Sequence, residues 1–423
     1  MNKVLIITYY WPPSGGPGVQ RWLKFVKYLP SFGITPVVLT VKPECAEYPI
    51  TDESLANDIS PEPEVHRTNC KGVYELYKRI TGNTKAPYSG FANESNPAFL
   101  QKAARFIRGN FFLPDARRGW IKYAFREACN IIEQQNIRTV ITTGPPHSTH
   151  LTGLKLKKKY DVRWIADFRD PWTDIYYNEL LYQTAIARKI DKYCEKKTLD
   201  LCDCLTLTAD NRTQLPVDGK KVHFLPNGFD ETDFASVAPA CPDIFTVRYF
   251  GTMAPSYPVD ALLRSLSECR FEFRVQFIGK ISSDIATAGH QLLGEKFSHQ
   301  DFVAHKEAVA GMCSASLLIL IIPKAQNNRY ILTGKLFEYL AAGKPVLLIG
   351  PTDGIAAQII RGANAGAAFN DTDVAGITKY LEEQHRHFLS GYTATNREYI
   401  HRFSRKMLTE KLARIIRDEK EHC

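Results

Sequence analysis

Twice along this chain, short unbroken apolar runs alternate with stretches whose apolar residues recur at helical spacing. That double alternation limits the architecture to two units, each an α/β layer around a parallel sheet. In the first unit, Val4 to Thr8 reads as a buried strand, followed by a Gly/Pro loop from Pro12 to Gly18. Gln20 to Leu29 then places Trp22, Phe25, Val26 and Leu29 on one helical stripe, and Pro36 to Val41 is a second strand. Strand, loop, helix and strand in that order imply a parallel pair joined by a right-handed crossover. The pattern weakens from Lys42 to about Phe112. Within that stretch Ala86 to Pro97, rich in Pro, Gly, Asn and Ser, reads as a mobile insertion. A helix at Lys122 to Gln134, a strand at Thr139 to Thr142, a helix at Leu151 to Tyr160 and a strand at Val162 to Ala166 resume the alternation.

The turn-forming Leu225-Pro226-Asn227-Gly228 opens the second unit. Its expected strands are Val247 to Phe250, Arg274 to Ile278, Ser316 to Ile322 and Pro345 to Ile349, with helices at Val259 to Leu266 and Gly334 to Ala342. Asn396 to Lys420 has the spacing of one long charged amphipathic helix. The expected domains are residues 1–215, 226–395 and a C-terminal helix, 396–423, returning to the first domain; a length of 423 residues suits two domains.

Composition removes several function classes. The apolar stretch Met1 to Tyr10 meets Trp11-Pro12-Pro13 too early for a secretory leader, and Ala315 to Ile322 is far shorter than a membrane span. A cytoplasmic protein is therefore expected. The ten cysteines contain no Cys-x-x-Cys pair, which speaks against a metal site or a disulfide framework. Charge is uneven: residues 1–200 hold 29 Lys and Arg against 20 Asp and Glu, while residues 201–423 hold 25 of each. A basic first half suits an anionic membrane or acceptor, and equally suits a plain solvated face; nothing in the pattern points to nucleic acid.

Ligands of doubly wound sheets bind beyond the carboxyl ends of the strands, and four segments fall there. In Ser14-Gly15-Gly16-Pro17-Gly18 the glycines permit close backbone approach and the following helix start attracts anions. It is neither Gly-x-Gly-x-x-Gly nor a P-loop, so a tight turn explains it as well. In Thr142-Thr143-Gly144-Pro145-Pro146-His147-Ser148-Thr149-His150, His147 stands in the loop, where an imidazole can meet substrate, and His150 within the helix. Asp167-Phe168-Arg169-Asp170-Pro171-Trp172 sets two carboxylates, a guanidinium and an indole at the same edge: either a site for a hydroxylated acceptor or an internal salt bridge. The most specific piece is Thr333-Gly334-Lys335-Leu336-Phe337-Glu338-Tyr339-Leu340-Ala341-Ala342-Gly343-Lys344-Pro345-Val346. There Glu338 is a carboxylate on an otherwise apolar helix, able to accept two hydrogen bonds from a vicinal diol.

That last segment resembles the nucleotide-binding signature of family-4 glycosyltransferases, the large retaining family with the GT-B fold, here of the bacterial glycan-biosynthesis type. Tyr9-Tyr10-Trp11-Pro12-Pro13-Ser14-Gly15-Gly16, His147, Leu225-Pro226-Asn227-Gly228 and Tyr249-Phe250-Gly251 follow in the family's order, so the resemblance spans nearly the whole chain outside about residues 43–100. It implies two Rossmann-like domains facing a central cleft, the first holding the acceptor and the second a nucleoside-diphosphate sugar as substrate, with no cofactor and no metal. It further implies that Glu338 binds the ribose hydroxyls, that Gly16 and Gly18 approach the diphosphate and the reactive centre or the acceptor, and that His147 contacts the transferred sugar. Gly251, Thr252 and Gly334 would line the donor.

Two departures from the family stand out. Tyr330 occupies the position of an earlier donor-sugar Glu, and no Lys or Arg lies between Thr252 and Leu263, where relatives neutralise the diphosphate. Lys335, Lys324 and Arg329 are the candidate replacements. Asp371-Thr372-Asp373 resembles a metal-binding Asp-x-Asp but stands just before a helix, where Asp caps.

The expected activity is metal-independent transfer of a sugar, with retention, to a hydroxyl of a glycan, lipid-linked or other acceptor. A GT-B-fold sugar-nucleotide epimerase and a non-catalytic sugar-nucleotide-binding protein are the alternatives. From Leu100 to Arg126, Phe106, Ile107, Phe111, Phe112, Trp120 and Tyr123 interleave with Lys102, Arg105, Arg108, Arg117, Arg118 and Lys122, a composition suited to peripheral association with the inner face of an anionic membrane.

Overall fold

A computed structural model of the chain describes residues 2–53, 55, 63–70, 99–210, 217, 221–235, 237, 241–301, 303–391 and 395–419. The expected insertion at Ala86 to Pro97 lies outside them. The chain divides into two compact units, residues 1–226 with 408–423, and residues 227–407.

Unit 1 is built on seven parallel strands: β1 (Asn2–Ile7), β2 (Ile34–Val41), β3 (Glu64–Thr68), β4 (Thr139–Gly144), β5 (Arg163–Phe168), β6 (Cys204–Leu207) and β7 (Lys221–Phe224). Their order in the sheet is β3-β2-β1-β4-β5-β6-β7. The central strands are continuous apolar runs because helices cover both faces. Val4 and Ile6 face one core with Trp22, Phe25 and Val26. Leu5 and Ile7 face the other with Trp120, Ala124 and Ile131. The order reverses between β1 and β4, and the loops after β1, β4 and β5 meet at that edge.

Unit 2 holds six parallel strands: β8 (Phe245–Phe250), β9 (Phe273–Ile278), β10 (Phe297–Gln300), β11 (Leu317–Ile321), β12 (Val346–Ile349) and β13 (Gly366–Phe369), in the order β10-β9-β8-β11-β12-β13. One large core joins Val247, Tyr249, Val275, Phe277, Ile319 and Leu347 to Leu262, Leu266 and Leu381 from covering helices. The helix Gly334–Ala342 ends on Gly343 at φ 66°, a left-handed turn that glycine adopts without a Cβ penalty. Asp373 caps the helix Val374–Ser390 by accepting from the Gly376 amide, so the Asp-x-Asp has a local structural role.

One expectation needs correction. Asn396 to Lys420 is two helices, Arg397–His401 and Arg405–Arg417. The break comes at Phe403 and Ser404, where the Phe229 amide donates to the Phe403 carbonyl and the Arg405 amide donates back to the Phe229 carbonyl. The chain then leaves unit 2 inside the second of these helices. Leu408, Leu412, Ala413, Ile415 and Ile416 pack with Val4, Ile6, Ile141 and Ile165 of unit 1.

Candidate functional site

In unit 2, the turn after β8 and the helix Gly334–Ala342 meet beyond the carboxyl end of the strand. Gly251 follows β8 at φ 128°, a conformation glycine alone adopts readily. A Cβ there would stand 2.1 Å from Lys335 Nζ, so the missing side chain is what lets Lys335 lie across the turn. Lys335 Nζ donates to the Tyr249 hydroxyl at 3.0 Å and rests 4.8 Å from that ring's centroid. The Phe250 amide donates to the Tyr339 hydroxyl at 3.0 Å, which ties the helix Gly334–Ala342 to the strand. At the start of that helix, Gly334 has open space where a Cβ would be. Thr333 Oγ1 is buried and makes no hydrogen bond within the described residues.

Charges in this corner are closely balanced. Burial lowers the Lys335 pKa to about 8, with Glu338 opposing the shift. Burial also raises the Glu338 carboxyl above its usual range, opposed by His305, Arg405 and Lys335. His305 is itself raised, chiefly by its 3.1 Å hydrogen bond to Asp233. A half-buried carboxylate among three cationic groups, beside a glycine turn and a helix start, can accept hydrogen bonds from a diol while the lysine meets an anion.

Of the other donor candidates, Thr252 is exposed just past Gly251 and Tyr330 closes a short 3₁₀ turn, Asn328–Tyr330. Lys324 pairs with Asp371, and Arg329 pairs with Asp353. Both cations are thus held by surface carboxylates, and Lys335 alone of the three reaches the glycine turn.

In unit 1, Gly16 caps the helix Pro17–Tyr28 at φ 104° with open space around its Cα, as a close backbone approach requires. Gly18 has a different reason. Its Cβ would fall 1.3 Å from Arg169 Nη1, so the glycine makes room for a guanidinium of the same unit. Arg169 in turn donates to the Pro145 carbonyl, and its amide donates to the Gly144 carbonyl at 2.9 Å. It clamps the His147 loop.

Asp167 also belongs to the interior. It is fully buried and accepts from Arg21 Nη2 at 2.9 Å, Trp22 Nε1 at 2.9 Å, Thr143 Oγ1 at 2.9 Å and Thr206 Oγ1 at 2.7 Å. Those bonds saturate the carboxylate, and its salt-bridge partner is Arg21 rather than Arg169. Asp167, Arg169 and Gly18 thus each have a structural reason within unit 1.

The remaining candidates border a cavity of about 240 Å³ lined by Tyr10, Asp115, Arg117, His147, Asp170, Trp172 and Asp191, among others. His147 stacks on Trp172 with ring centroids 4.8 Å apart and planes 11° apart. Its ring nitrogens make no well-formed hydrogen bond within the described residues. Burial, His150 and Arg169 hold it well below the usual imidazole range, which favours the neutral ring, and both nitrogens are buried behind the cavity wall. His150 is structural: it sits inside the helix Ser148–Lys159, bonded to Thr142 Oγ1 at 2.8 Å. Trp172 is buried and serves as the cavity's wall, held by its Nε1–H bond to Asp191 at 2.8 Å. Asp170 is exposed at the rim.

Two carboxylates here escape sequence reasoning. Asp115 accepts from the Ser148 amide at 2.7 Å and Ser148 Oγ at 2.8 Å, capping the helix that follows His147 from 33 residues upstream. Its only local signal is the preceding Pro114. Asp191 is buried inside the helix Ala185–Leu201, four residues after buried Ala187.

Two parallel sheets of this order, one in each unit with helices on both faces, are the architecture of the GT-B class. Among solved structures, sucrose-phosphate synthase from Thermosynechococcus elongatus matches with TM-score 0.67 and 13% identity over 99% of both chains. The apo lipopolysaccharide outer core galactosyltransferase WaaB matches with TM-score 0.58 and 13% identity, also over 99% of each. Anabaena HepE in complex with UDP-glucose gives TM-score 0.58 and 11% identity, over 98% of this chain and 99% of that one. At such identities the likeness establishes the GT-B fold. No protein-family model and no curated sequence matches the chain.

Proposed function

We propose that this protein is a glycosyltransferase that moves a sugar from a nucleoside-diphosphate sugar to a hydroxyl of a glycan, lipid-linked or other acceptor, with retention and without a metal. The observation that carries the reading is the unit 2 corner, where Glu338 stands among His305, Arg405 and Lys335 and Lys335 crosses Gly251. There Glu338 would take the ribose diol and Lys335 the diphosphate, so that the leaving group's charge is stabilised in place. His147, a neutral imidazole over Trp172, would meet the transferred sugar, with the acceptor in the cavity beside it. UDP and UDP-glucose are the first donors to test, because the HepE structures hold them. A cytoplasmic location, peripheral on an anionic membrane, belongs to the same reading; no helix of the described residues is long and apolar enough to cross one.

Calorimetric titration tests the donor role. Glu338→Ala is expected to weaken nucleotide binding tenfold or more, because a charge-assisted hydrogen bond contributes about 1.5–3 kcal/mol. Unchanged affinity in a folded variant removes the ribose assignment. Release of nucleoside diphosphate only on addition of acceptor distinguishes transfer from epimerisation, which converts donor alone, and from simple binding, which does neither.

A further inference from the structure

The helix Ala185–Leu201 in unit 1 carries its amphipathic pattern outward. Ile186, Ile190 and Tyr193, spaced four and three residues apart on one face, are 72%, 46% and 62% exposed. The hidden stripe is Ala187, Asp191, Thr198 and Leu199. Beside this helix stands Phe99–Phe111, whose Phe106 and Phe111 are also exposed. Asn110 joins the two: its Nδ2 donates to the carbonyls of Phe106 and Tyr182, and its Oδ1 accepts from the Thr184 amide at 2.7 Å. Leu181 presses on Gly109, where a Cβ would stand 2.3 Å from the Leu181 carbonyl oxygen. Ile186, Ile190 and Tyr193 thus project from one face of the helix Ala185–Leu201, and the exposed Phe106 and Phe111 belong to the helix packed beside it.

Charge decides what covers it. The helix Ala185–Leu201 carries Arg188, Lys189, Lys192, Lys196 and Lys197. Two of its three acids are turned to the protein: Asp191 is bonded to Trp172 and Glu195 to Thr173. Lys197 lies 5.6 Å from the Tyr193 ring, and Arg118 Nη1 donates to the Phe111 carbonyl. A second copy of this chain would bring the same cations against these, at an electrostatic cost. An anionic lipid surface meets both features at once, accepting the apolar side chains among its acyl chains and the ammonium groups among its headgroups. The location differs from the stretch that sequence alone suggests. Arg105, Arg117 and Trp120 of Leu100–Arg126 are buried, so only the exposed part of that segment contributes.

The geometry points to the paired helices Phe99–Phe111 and Ala185–Leu201 as the face by which unit 1 docks on an anionic membrane. This rests on the peripheral-membrane part of the proposed function and gives it a surface. The test is co-sedimentation with vesicles of phosphatidylcholine alone or mixed with phosphatidylglycerol, at low and high sodium chloride. The wild type is expected to pellet only with the anionic vesicles and to be released by salt. Ile186→Ser/Ile190→Ser/Tyr193→Ser should abolish binding, and Lys189→Gln/Lys192→Gln should weaken it by roughly fivefold for each charge removed. Hydrogen exchange on the unaltered protein reads the same face without a variant: amides of 182–197 should slow on anionic vesicles.

Binding that survives both variants with unchanged exchange overturns this face and leaves membrane association standing. Absence of vesicle binding at low salt overturns both. Concentration-dependent self-association that the serine variant removes, without vesicle binding, assigns the face to a second copy instead. Nucleotide affinity, measured on the same variants, should not move, and so separates this result from the sugar-transfer reading.

Discussion

At the scale of the residue, the site chemistry depends on where burial leaves charge. Asp191 shows the effect most simply. Burial raises its pKa from 3.8 to about 6, aided by Asp115 and opposed by the Trp172 hydrogen bond. An acid whose pKa is higher folded than unfolded binds more protons in the folded state between those two values. Its contribution is therefore intact at acid pH and is lost as pH rises from about 4 to about 6, a change on the order of 2–3 kcal/mol. Asp191→Asn keeps an oxygen for Trp172 Nε1 and carries no charge. Urea denaturation at several pH values should show it more stable than wild type at pH 7 and no more stable at pH 4; parallel curves would refute the assignment. The same scale explains why Glu338 and His147 stand out as candidates in the sequence and the Asp167 pairing does not. A carboxylate in an apolar helix and a histidine after a Gly-Pro-Pro turn declare themselves locally, whereas the Arg21 that neutralises Asp167 lies 146 residues away.

At the scale of the element, glycines decide what each loop can hold. Gly251 combines a positive φ with the passage of Lys335. Gly251→Ala is expected to cost roughly 1–3 kcal/mol in stability from backbone strain. It should also weaken nucleotide binding about tenfold by moving the ammonium, the equivalent of one displaced charge-assisted hydrogen bond. If the second effect runs through Lys335, adding Lys335→Met to Gly251→Ala should change affinity little further, whereas additive losses would separate the two residues.

The central strands were readable as apolar runs, but Cys204–Leu207, Phe297–Gln300 and Gly366–Phe369 were not. Each is four residues long, and Phe-Ser-His-Gln or Gly-Ala-Ala-Phe has no pattern that separates a strand from a loop. The helix Ala185–Leu201 escaped for the opposite reason. Apolar residues on its outer face and a carboxylate on its inner one erase the usual contrast.

At the scale of the whole molecule, the order of folding units differs from the order of the sequence. Removing residues after Met407 would delete Leu408, Leu412, Ala413, Ile415 and Ile416 from the core of unit 1, leaving the core of unit 2 untouched. Burial lost at several such positions, at about 2–5 kcal/mol for each large aliphatic, exceeds the stability of most domains. Hydrogen exchange on that truncated chain should find β1 and β5 unprotected while β8 and β11 stay protected. Equal protection in both sheets would show that the final helix is dispensable.

That return of the chain also sets a timetable for synthesis. Val4 and Ile6 leave the ribosome well before the helix that completes their core, which is made roughly 400 residues later, on the order of 20–80 seconds at ordinary elongation rates. Unit 2 can close during that interval, whereas unit 1 waits with one face of its sheet uncovered. Of the two units, the one begun earlier is thus completed later, and it is the one whose exposure a chaperone would have to shield.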